Sequence, residues 1–102
     1  MTNARSAATA LAVPTVQVNT DYVKVTEWRF APGAATGYHR HAYDYVVVPM
    51  TTGRLKLVGP DGAETFGKLK SGIAYTRRAG VEHDVINTNP FEFAFVEVEI
   101  KR

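Results

Sequence analysis

From Val13 onward, apolar and polar residues alternate with a period of two, the pattern of strands that bury one face and expose the other. The run Tyr22-Val23-Lys24-Val25-Thr26-Glu27-Trp28-Arg29-Phe30 is rich in β-branched and aromatic residues and stops at Pro32-Gly33, a turn signal. Further strands are predicted over 37–41, 45–50, 53–58, 64–69, 73–77, 82–87 and 91–100. Helix signals are nearly absent. Gly59-Pro60-Asp61-Gly62 is the strongest hairpin turn, because Asp-Gly tolerates the positive φ angles that tight turns require. Eight or nine short strands with turns every 8 to 12 residues or so predict an all-β sandwich or barrel, and a double-sheet jelly roll matches the count.

The aromatic residues fall on definite strand faces. Tyr22, Trp28 and Phe30 share one, and Phe91, Phe93 and Phe95 share another, which reads first as core packing. Glu97 and Glu99 continue the phenylalanine face, while Val96, Val98 and Ile100 occupy the opposite one. A strand that is apolar on both faces for part of its length points to burial against a second sheet or subunit, so a homodimer is expected.

Composition narrows the class. The 102 residues suffice for one domain, expected over 13–102, with 1–12 as a flexible or partner-clasping N-terminal tail. Hydrophobic content of 45% and charged content of 22% are ordinary for a globular chain. No stretch approaches the roughly 20 apolar residues of a membrane span. The net charge of +2 comes from scattered lysines and arginines, which argues against nucleic acid as a partner. Around Arg5 the N-terminus imitates a secretory signal, but its apolar stretch is short and broken by Thr9, so a cytoplasmic protein is expected. Cysteine is absent, which leaves nitrogen and oxygen as the available metal ligands.

The three histidines are His39, His41 and His83. Residues two apart on a strand point the same way, so His39 and His41 can address one point, and a closed sheet can bring His83 to face them. An isolated H-x-H pair is more often a pair of exposed strand residues. Here the glycines add Gly33-x5-His39-x-His41 and Gly72-x5-Arg78-x-Gly80-x2-His83-x3-Asn87. These spacings resemble the two signature motifs of the cupins, and the stretch from Val23 to Lys101 is similar to small single-domain cupins, including ones linked by name to β-alanine degradation. The resemblance implies a jelly-roll barrel in which His39, His41 and His83 hold a divalent transition metal such as Fe, Ni, Zn, Cu or Mn.

The chain departs from the family pattern at two points. An acidic residue usually follows the second histidine after three or four others; counting forward from His41 reaches Tyr45, and counting back from Gly53 reaches Val46. The mismatch suggests a bulge or a longer turn near 49–52. Three arrangements remain open: three histidines with water, a sphere completed by Tyr45 or Asp44, or a site that has lost its metal. In the first, Tyr45 would donate a hydrogen bond to a bound ligand. Arg78 stands where the family usually has proline, either as a solvated rim residue or as a bidentate partner for an anionic substrate.

Two functions are expected on this basis. One is a metal-dependent enzyme, with oxygenase chemistry suggested by three-histidine cupins, acting on a small carboxylated or polar metabolite. The other is a non-catalytic cupin that captures a small ligand or metal as a sensor or accessory protein. No Ser-His-Asp arrangement or phosphate-binding loop is evident.

Overall fold

The computed structural model describes residues 10–102 and contains strands without helices there. In chain order the strands are β1 (Val13–Asn19), β2 (Val23–Phe30), β3 (His39–Arg40), β4 (Asp44–Pro49), β5 (Gly53–Val58), β6 (Glu64–Leu69), β7 (Tyr75–Arg77), β8 (Glu82–Ile86) and β9 (Phe93–Ile100). They form a five-stranded sheet ordered β1-β2-β9-β4-β7 and a four-stranded sheet ordered β3-β8-β5-β6. Every named pairing is antiparallel. This is the jelly roll that the alternation predicted, two sheets folded over one interior.

The strand added to those bounded from sequence is β1, which pairs with β2 along one edge and is exposed throughout. Residues 1–9 of the expected tail lie outside the described residues. Ala12 is buried, and its N–H donates to the Ala35 carbonyl at 2.8 Å.

Burial follows the period-two pattern where the sheets face each other. Phe30 and Phe93 are fully buried, Phe95 packs on Phe30 with ring centroids 5.5 Å apart, and Leu55, Leu69 and Val85 close the core from the second sheet. Tyr22 and Phe91, which the alternation placed with these rings, lie beyond the strand ends and are exposed. Gly62 has the positive φ expected of the Asp61-Gly62 turn, and the Gly62 N–H donates to the Gly59 carbonyl at 3.0 Å. Gly53 is held by space instead: a Cβ there would come within 3.1 Å of Asn89 and Phe93 side-chain atoms.

Asn87, the last residue of the second motif, is fully buried and acts as a tie. Its Nδ2 donates to the carbonyls of Phe30, Ala31 and Phe91, and its Oδ1 accepts from Asn89. Such complete pairing of a buried amide fixes where β2 ends, where β8 ends and how the chain enters β9.

Candidate metal centre

The pairing of β3 with β8 places His39 directly opposite His83. His41 lies just beyond β3, its N–H donating to the Val81 carbonyl at 2.9 Å, and its side chain is buried. The three rings converge. His39 Nε2 and His41 Nε2 are 3.0 Å apart, and His41 Nε2 and His83 Nε2 are 3.2 Å apart. One nitrogen from each histidine lies within 4.8 Å of the others.

The two shorter separations fit a shared cation. Metal–nitrogen bonds of about 2.0–2.1 Å meeting at about 90–110° set the nitrogens about 2.8–3.4 Å apart. His39 Nδ1 sits 2.8 Å from the Gly37 carbonyl, which can only accept, so Nδ1 carries the proton and the Nε2 lone pair faces inward. Burial, followed by the neighbouring His39 and His83, pushes the His41 pKa down to about 4. Burial, His39 and Arg77 do the same to His83, also to about 4. Both are therefore neutral at physiological pH, the form that binds a metal.

The surrounding cavity, about 610 Å³, lies between the two sheets. Trp28, Leu55, Leu57 and Val85 supply apolar wall, and Arg40, Lys68, Lys70 and Arg77 contribute cationic groups. On the five-stranded sheet the register sets the lining in rows: Arg77, Tyr45 and Glu99 face one another across β7, β4 and β9, and Tyr75, Val47 and Glu97 form the next row.

Tyr45 is buried and stacks on His41, ring centroids 3.9 Å apart and planes 18° from parallel. Burial, with Glu97 and Tyr75 nearby, pushes its pKa up to about 12, so the phenol is neutral. Counting forward from His41 thus finds the inward position; Val46 points to the opposite face. The β4 ladder runs without a register shift against β9 and β7, so the suggested bulge is absent from that strand, and a turn through 50–52 leads into β5. Asp44 is exposed, its Oδ1 accepting from the Ala79 N–H at 2.8 Å, and it does not join the cluster. Arg78 is exposed and does not line the cavity; its neighbour Arg77 does, with its guanidinium 4.7 Å from the Tyr75 ring centroid.

Glu97 is the residue whose place beside the histidines the chain pattern did not reveal. It is 8% exposed, its Oε1 accepts from Trp28 Nε1 at 3.4 Å, and its Oε2 lies 3.8 Å from His41 Nδ1. Burial, reinforced by Glu99 and opposed by Trp28 and Lys24, pushes its pKa up to about 7. With His41 neutral, this is a contact between a carboxyl group and an uncharged imidazole and not an ion pair. Position on the phenylalanine face was the available signal, since that face turns inward.

No family model matches the chain. The β-alanine degradation protein BauB of Pseudomonas aeruginosa is 61% identical over 90 residues, which cover 88% of this chain and 94% of that protein. A cupin domain from Bordetella pertussis Tohama I superposes with a TM-score of 0.89 and 57% identity, over 92% of this chain and 97% of that one. A double-stranded β-helix protein from Klebsiella pneumoniae shares the fold at a TM-score of 0.73 with 24% identity, over 89% of this chain and 77% of its own.

Proposed function

The chain belongs to the small single-domain cupins, and from that premise we propose that it is a metal-dependent enzyme acting on a small carboxylated metabolite. The observation that carries this reading is the convergence of three Nε2 atoms, 3.0 and 3.2 Å apart in successive pairs, on a cavity large enough for a small metabolite. His39, His41 and His83 are the ligands. When bound, a divalent Fe, Ni, Zn, Cu or Mn ion supplies a Lewis acid or, where redox-active, the oxygen activation of an oxygenase.

The remaining residues bind and orient. Arg77, which shares an inward row with Tyr45, offers a carboxylate a bidentate partner, and Lys68 and Lys70 add positive charge to the same cavity. Arg78, one residue on, serves as a solvated rim charge. Tyr45 remains protonated and can donate a hydrogen bond to a ligand. Trp28, Leu55 and Leu57 exclude water from the apolar side. The name of the Pseudomonas relative, a β-alanine degradation protein, supports placing the substrate among small carboxylates of an amino-acid degradation route.

Elemental analysis of tag-free protein tests the metal. Wild type is expected to hold near-stoichiometric metal and His83→Ala to lose it; wild type that stays metal-free after supply of Fe, Ni, Cu, Zn and Mn would refute the site. Oxygen consumption with small carboxylates then separates an oxygenase from other chemistry. A second reading, a cupin that binds without turnover, is favoured by the neutral Tyr45 at the acidic position and predicts saturable ligand binding with no product.

We also assign the outer face of the five-stranded sheet to a second copy of the chain. Val18, Val25, Val98 and Val46 form one cross-strand row, with Val96 and Val48 beside them. Of the charges flanking this row, Arg29 and Glu27 are paired, Arg29 Nε lying 2.9 Å from Glu27 Oε1, and Asp44 accepts from the Ala79 N–H. Two such faces can meet about a two-fold axis with these charges at the rim.

A further inference from the structure

The geometry points to Glu97 as a positioning residue for His41, acting from β9 behind the imidazole and not as a metal ligand. This rests on the metal-binding reading above.

Two tautomers of His41 compete. If Nε2 carries the proton, it can donate to His39 Nε2 at 3.0 Å, because the His39 proton that faces the Gly37 carbonyl sits on Nδ1. The centre is then a proton-bridged pair, and His41 has no inward lone pair to offer. If Nδ1 carries the proton, the lone pairs of His39 and His41 both face the centre, an arrangement that a cation relieves. The choice depends on what stands behind Nδ1. Among the described residues the acidic group there is Glu97, with Oε2 3.8 Å away, and an adjustment of about 1 Å brings it into hydrogen-bond range. The plane of the His41 ring is already held by the stacked Tyr45 ring at 3.9 Å, so that adjustment does not swing Nε2 off the centre.

The three ligands are therefore oriented by different means. His39 is held by backbone, through Gly37, and by Thr36 Oγ1 at 3.3 Å. His41 is stacked on Tyr45 and has the Glu97 carboxyl group, from the far end of the chain, 3.8 Å behind Nδ1. A group in this position fixes the tautomer and raises ligand basicity without occupying a coordination position.

The test uses the intact protein and the metal alone. Long-range proton–nitrogen NMR of metal-free wild type is expected to show His39 and His41 both protonated at Nδ1. Glu97→Met, which keeps side-chain volume and removes the acceptor, is expected to move His41 toward the Nε2-protonated form while His39 stays unchanged. Affinity for Zn, measured by competition with a chromophoric chelator, is expected to fall about 10- to 100-fold. A wild-type His41 protonated at Nε2 overturns the proposal whether or not the variant folds. A folded Glu97→Met with the wild-type tautomer and an affinity within about twofold of wild type overturns it equally. Failure of wild type to take up any metal would defeat the metal reading instead, and the tautomer measurement would still decide the role of Glu97.

Discussion

The two faces of the five-stranded sheet are built from the same strands and could hardly differ more. On the inner face, β4 and β9 present Tyr45, Val47, Phe95, Glu97 and Glu99, a mixture of rings, carboxylates and one aliphatic residue. On the outer face the same two strands present Val46, Val48, Val96 and Val98, and β2 and β1 extend the row with Val25 and Val18. The inner face also carries Phe93 and Phe95 of the core, and a sheet that merely closed that core would be apolar within throughout and polar without. Buried polar groups cost free energy unless they are satisfied, and an apolar face left to water forfeits burial. The buried Glu97 and the valine row are the two departures from that order, and they lie where the site and the contact with a second copy are proposed.

Substitutions on either face sharpen this contrast. The largest effect is expected beneath the site, where Phe93 is fully buried: Phe93→Ala should lower unfolding free energy by about 3–5 kcal/mol, read by urea denaturation. Next comes the outer face. Val98→Glu places a charge in the centre of the valine row and should convert a dimer to a species of one chain's mass, 11.2 kDa, in sedimentation equilibrium, with metal content unchanged. A variant that sediments as wild type would remove the second copy from that face. The smallest effect is expected at Tyr45→Phe, which keeps the ring on His41 and removes the hydroxyl. Metal content should match wild type, and stability should change by no more than about 1 kcal/mol. Loss of metal in Tyr45→Phe would make the phenol oxygen a ligand and place it on a par with the histidines.

The histidine cluster was legible because it rests on the spacing of the two motifs. His39 and His41 lie two residues apart, His83 follows a glycine-marked corner, and the expected jelly roll brings β3 against β8. Tyr45 was legible for the same reason, being reached by a short count from His41 across the bend at 42–43 into β4. Arg77 and Arg78 show where this stops. They differ by one residue, and side chains alternate across a sheet, so which of them enters the cavity depends on how the three-residue β7 registers against β4. Nothing in the linear pattern sets that register.

Glu97 shows the same limit from the other end of the chain. Its strand face could be read from Phe93 and Phe95, but its place behind His41 follows from β9 pairing between β2 and β4. The amino-acid order by itself determined an all-β chain with three histidines spaced for one centre, because period-two alternation and short spacings act within a few residues. Tertiary structure alone decided which carboxylate stands beside those histidines, which arginine faces them and which apolar face stays open. Those outcomes depend on cross-strand adjacency, which joins residues as distant as His41 and Glu97 and leaves no mark on the spacing of either.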